Sequence, residues 1–143
     1  MKPFEFSLHS VLSIERQVDQ NIDLQLTKAK SQLDLEITKL NQLQTQVSQN
    51  QVDVNDSGSL ASVAGWATYR RHMERNMEQQ QQVIENRRTV FNQVLMQKIR
   101  QQQKLESLEK LKATEKQDYR NEQRRMEQKQ LLENVVQRKK RKV

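Results

Sequence analysis

Apolar residues recur every three or four positions along two long stretches of this chain, and the rhythm fades between them. From Val18 the first series runs through Ile22, Leu26, Ala29, Leu33, Ile37 and Leu40, and Leu43 and Val47 continue it. Its steps average about 3.67 residues per turn, which predicts a helix with a nearly straight or slightly right-handed apolar stripe. The second series places Met77, Ile84, Phe91, Leu105, Tyr119 and Met126 at a seven-residue phase, interrupted by Lys98 and Lys112. Trp66, Met73, Val94 and Leu108 form a neighbouring row. Only a helix keeps this periodicity over tens of residues. The intervening QVDVNDSGSL is made of turn formers, and Pro3, Gly58 and Gly65 are the only proline and glycines.

These patterns predict an all-α fold, a long two-helix antiparallel coiled coil or helical hairpin, as a single domain spanning residues 1–143. The first helix is expected over about 7–51, a polar tip over about 52–62 and the second helix over about 63–138. Ser7 is placed to cap the first helix, with Phe6 and Val11 at the spacing of a hydrophobic staple, and Ser59 or Ser62 to cap the second. A bend near Asp56 sets Leu8 against about Lys104. The second helix is then unpaired from about Glu109 onward.

Composition narrows the picture. With 34% hydrophobic and 4% aromatic residues and a mean hydropathy of −1.03, the chain has too little apolar material for a globular core, so its core is expected to be a seam. Charge is segregated. Residues 1–56 carry 5 Lys/Arg against 8 Asp/Glu, and residues 57–143 carry 20 against 10, with RKKRK at 138–142. A basic overhang calls for an acidic partner surface, nucleic acid or a membrane face.

Candidate chemistry is sparse. There is no cysteine and no Gly-rich phosphate loop, and His9 and His72 lack a second ligand at helical spacing. Glu106, Glu109, Glu122 and Glu127 read as solvated positions, so no enzyme activity, cofactor or metal is expected. No apolar run approaches the ~20 residues of a membrane span, and the opening MKPFEF is not a secretory signal; a cytoplasmic protein is expected. Trp66, Tyr69, Met73 and Met77 form the densest aromatic and thioether cluster, suited either to closing the hairpin or to docking a partner.

The pattern as a whole resembles the FliJ family, the small coiled-coil proteins of the bacterial flagellar type III export apparatus. Phe4, Phe6, Leu8, Val11, Leu12 and Arg16 are similar to the family's opening F-x-F-x-L-x-x-V-L-x-x-x-R. Leu108 to Lys112, with Tyr119, Glu122, Arg125, Glu127, Gln128, Lys129, Leu132 and Glu133, are similar to its C-terminal pattern L-E-K-L-K, Y, E, R-x-E-Q-K-x-L-x-E. Leu131-Leu132-Glu133 departs from the Leu-Asp-Glu of many members.

The resemblance implies a hairpin similar to the rotary ATPase gamma-subunit coiled coil. It implies a non-enzymatic stalk that enters the hexameric export ATPase, promotes its assembly and activity, and links it to the export gate and export chaperones. On that implied role we assign the overhang and the adjoining N-terminal residues, Phe4, Phe6, Leu8, Leu12, Tyr119, Arg120, Arg124, Arg125, Met126 and Glu127, to the ATPase as an expectation. Val47, Trp66, Tyr69 and Met73 go to the cytoplasmic domain of the gate. The protein would be a monomer when free and peripheral to the inner membrane through its partners, without direct nucleic-acid binding. The other readings are a generic coiled-coil scaffold or chaperone-like tether, and, ranked below it, a basic nucleic-acid-binding helix, whose phosphate contacts Glu115, Asp118, Glu122, Glu127 and Glu133 would oppose.

Overall fold

A computed structural model of the chain describes residues 2–57 and 60–141, without the side chains of residues 52–62. Two helices, α1 (His9–Ser57) and α2 (Leu60–Arg141), make up the fold, with no strand among the described residues. They pack antiparallel as the expected all-α hairpin. By contacts the chain divides into two units, Met1–Asp19 with Arg100–Val143, and Gln20–Ile99.

In the Gln20–Ile99 unit, the covered face of α1 follows Ile22, Leu26, Ala29, Leu33, Glu36, Leu40, Leu43, Val47 and Asn50. The steps alternate four and three, a seven-residue repeat, in place of the eleven-residue rhythm that the apolar residues alone suggest. Glu36 takes a buried slot beside Ile37, and Asn50 takes a half-buried one. The facing rows of α2 are Met73, Gln80, Arg87 and Val94 beside Met77, Ile84, Phe91 and Lys98. Polar side chains in these slots find partners across the seam. Gln80 Nε2 donates to the Glu36 carbonyl at 2.8 Å and to Glu36 Oε2 at 2.6 Å. Arg87 Nη1 donates to Gln32 Oε1 at 3.1 Å, and Lys98 Nζ pairs with Asp23 at 2.7 Å.

The other unit repeats the scheme. Leu8, Leu12, Glu15 and Asp19 face α2 and continue the same repeat, while Val18, the first residue of the expected stripe, is exposed. Gln101 Nε2 donates to the Glu15 carbonyl at 2.9 Å and to Glu15 Oε2 at 2.6 Å, with Lys104 Nζ at 2.8 Å from Oε1. These amide and ammonium donors hold the Glu15 carboxyl below the ordinary glutamate range, the Gln101 hydrogen bond contributing most. Glu36 is lowered in the same way, chiefly by Gln80 and then by Lys39.

Several boundaries differ from the sequence expectation. Ser7 is not the cap: its hydroxyl donates to Glu115 Oε1 at 2.5 Å and its amide to Oε2 at 3.2 Å. The first helical bond runs from the Leu12 amide to the Leu8 carbonyl at 2.9 Å. Leu12 is fully buried while Val11 is 41% exposed, so the expected Phe6–Val11 staple is not buried as a pair. At the far end α1 continues to Ser57, past the expected 51, and α2 starts at Leu60 and runs through Gly65. Turn formers cost a helix only about 0.7–1 kcal/mol each relative to alanine, which pairing of two long helices outweighs. The proposed cap Ser59 lies outside the described residues, and Ser62 falls inside α2.

The unpaired segment starts later than expected. Arg16 pairs with Glu109, Ser7 with Glu115, and the Tyr119 hydroxyl donates to the Lys2 carbonyl. Pairing therefore reaches about residue 119 instead of ending near 109, because α1 stays helical past Asp56 to Ser57 and the lead residues before α1 stay on α2.

Candidate functional surfaces

The lead, residues 2–8, is not helical, yet it is held. Pro3 has no amide to donate, and the segment is anchored to α2 by side chains instead. The Phe4 and Tyr119 rings lie 5.6 Å apart at 53°, Phe6 is buried, and Tyr119 Oη accepts from Gln123 Nε2 at 2.6 Å. A notch of about 700 Å³ opens beside it, lined by Phe4, Phe6, Ser7, His9, Lys112 and Lys116 among others.

The residues assigned above to the ATPase thus fall into two groups. Phe4, Phe6, Leu8, Leu12 and Tyr119 join the lead and the start of α1 to α2, with Phe6 and Leu12 buried and Phe4, Leu8 and Tyr119 half-buried. Arg120, Arg124, Arg125, Met126 and Glu127 are exposed. From Arg124 to Arg141 every residue is exposed and helical. This tail has seven Lys/Arg against two Glu. It also has an apolar stripe: Leu131, Leu132, Val135 and Val136 are each at least half exposed and, at about 100° per residue, lie within about 140° of one face. None of these four is among the residues assigned to the ATPase above, although the four-residue spacing of Leu131 with Val135 and of Leu132 with Val136 marks the face. Ser7, Glu115 and Gln123, which fasten the lead, carry no sequence signal of that role.

The four residues assigned to the gate are brought near one another only in part. Trp66 and Tyr69 stack at 5.6 Å and 37°, and Tyr69 Oη accepts from Asn50 Nδ2 at 2.7 Å. Met73 is 5% exposed and Val47 is half-buried. The cluster is built into the seam, with Trp66 and Tyr69 half open to solvent. Among the described residues no group of His, Cys, Asp or Glu is placed to hold a metal ion. No helix is long and apolar enough to cross a membrane.

A thin, partly polar seam and a bare cationic helix define a two-helix coiled-coil protein. Its family follows from comparison: the family model described as Flagellar FliJ protein matches residues 4–143, so the chain belongs to the FliJ family. It is a component of the flagellar protein export apparatus. Comparison with curated proteins and with solved structures returns no match.

Proposed function

We propose that this chain is the non-enzymatic stalk of the export ATPase. It enters the hexameric ring, promotes its assembly and hydrolysis, and joins it to the gate and to export chaperones, lying at the cytoplasmic face of the inner membrane through these partners. The observation that carries this reading is the tail: an eighteen-residue helix, 124–141, exposed throughout, strongly basic and with an unfilled apolar stripe. Such a helix is completed by a partner surface of opposite charge. Arg120, Arg124 and Arg125 steer the encounter, and Met126 with the Leu131–Val136 stripe packs. Phe4, Phe6, Leu8, Leu12 and Tyr119 act indirectly, by holding the base of the tail in shape. Trp66 and Tyr69, with Val47 and Met73 supporting them, remain the surface offered to the gate.

The test is a chain ending at Gln123, which keeps every seam contact described above. It should remain a helical hairpin yet lose stimulation of ATP hydrolysis and hexamer formation by the export ATPase. Full stimulation by the shortened chain would move the functional surface onto the paired coil.

A further inference from the structure

The two glutamine–glutamate contacts across the seam share one geometry. In each, a single glutamine amide nitrogen donates both to the backbone carbonyl and to the carboxylate of the same glutamate, at 2.9 and 2.6 Å for Gln101 on Glu15 and at 2.8 and 2.6 Å for Gln80 on Glu36. Glu15 and Glu36 are 21 residues apart, and so are Gln80 and Gln101. Three heptads separate the members of each pair, so both contacts occupy the same phase of the seven-residue repeat. Glu36 is 9% and Gln101 8% exposed, the only buried polar side chains among the described residues.

We propose that these two clasps are the register key of the hairpin, selecting the one alignment of α1 and α2 in which the tail begins after about Tyr119. The bend does not select it, because turn formers run from Asp53 to Gly65 and would let the chain reverse at several places. The central apolar slots select it only weakly, since a seven-residue slip again sets Leu33 against Met77 or Phe91. The clasps do. Slipped one heptad in one direction, Glu36 meets Met73, Glu15 meets Val94, Gln80 meets Ala29 and Gln101 meets Leu8. Slipped the other way, Glu15 meets Leu108, Gln80 meets Leu43 and Gln101 meets Ile22, and only Glu36 finds a polar neighbour, Arg87. A carboxylate or amide left unpaired against aliphatic side chains penalises both slips, in the manner of a polar residue set into a coiled-coil seam.

The test replaces all four residues with leucine, E15L/E36L/Q80L/Q101L, in the full chain. The chain has no cysteine, so Leu24→Cys and Arg75→Cys, both exposed, accept spin labels for pulsed distance measurement. With the clasps present the labels should give one narrow distance. In the four-leucine chain, which should stay helical and melt no lower than its parent, a second population should appear, displaced by about 10 Å for seven residues at 1.5 Å each. A single unchanged distance would overturn the proposal. Loss of helix in the four-leucine chain would overturn it equally, by showing that the clasps supply stability instead of choosing among registers.

Discussion

Tyr119 and Met126 stand seven residues apart on one row of α2, yet they live in different surroundings. Tyr119 is half-buried, stacked on Phe4 and bonded to Lys2 and Gln123. Met126 is 54% exposed. Nothing in the helix itself changes between them: it stays regular, and the apolar phase continues. What changes is the neighbour: the lead packs on Tyr119, whereas every residue from Arg124 to Arg141 is exposed. Burial along α2 thus follows what faces it, and the same stripe that is a core before residue 119 is an open surface after 124.

Truncating a side chain in each region gives the sharpest contrast. Leu12 is fully buried, so Leu12→Ala should destabilise the hairpin by about 2–5 kcal/mol in denaturant unfolding. Leu132, 67% exposed, should tolerate the same change within about 0.5 kcal/mol, while ATPase stimulation falls. Equal losses of stability from the two variants would mean that the tail is packed after all, and the comparison would collapse.

The lead itself is the next place to press. Tyr119→Phe keeps the ring against Phe4 but removes the hydroxyl that donates to the Lys2 carbonyl and accepts from Gln123. A net hydrogen bond contributes about 0.5–1.5 kcal/mol, and the effect should appear as faster amide exchange in residues 2–8 with little change in the Gln20–Ile99 unit. Unchanged exchange in the lead would show that Phe6 and Ser7 hold it without help.

The acid limb of the stability profile probes the paired stretch. Glu15 and Glu36 titrate below the ordinary glutamate range because glutamine and lysine donors favour the ionised form. A carboxyl lowered in the folded state adds stability that is complete above its unfolded value, about 4.3, and is lost as pH falls through the lower folded value. Thermal midpoints should therefore hold from neutral pH to about 4.5 and drop below it. The double variant E15Q/E36Q should show a shallower drop. An acid limb identical to that of the parent would assign the titration to other carboxylates.

What the sequence discloses follows the same division. The two helices, the seam rows of α2 and the bare basic end are legible because they rest on apolar spacing and on charge, and both survive in a linear string. The seven-residue repeat of α1 is hidden, since Glu15, Asp19, Glu36 and Asn50 fill slots where a reader looks for aliphatic residues, and the eye moves to Val18 and Ile37 instead. The phase of Leu8, Ile22, Ala29 and Leu43 does point to positions 15 and 36 once the repeat is suspected. The fastening of the lead is invisible, because Ser7 and Glu115 are ordinary polar residues 108 positions apart. The helix ends at the tip are hidden for a related reason. Turn propensity over Asp53 to Ser57 is a local preference of under about 1 kcal/mol per residue, and the pairing of long helices overrides it.

The smallest expected effect concerns where α2 begins. Gly65 lies within the helix, and a Cβ built on it meets nothing within 4 Å. Alanine there would lose less backbone entropy on folding than glycine and would displace no neighbour, so Gly65→Ala should stabilise the hairpin by up to about 1 kcal/mol. In a chain of this size that raises the melting midpoint by about 2–4 °C. The substitution also separates the two accounts of the tip. If Gly65 belonged to the turn suggested by its neighbours Asp53 to Gly58, with a conformation that alanine avoids, the midpoint would fall, and helix α2 would have to start beyond it. A rise would place the start of α2, with Gly65, in the paired coil, apart from the exposed tail after residue 124.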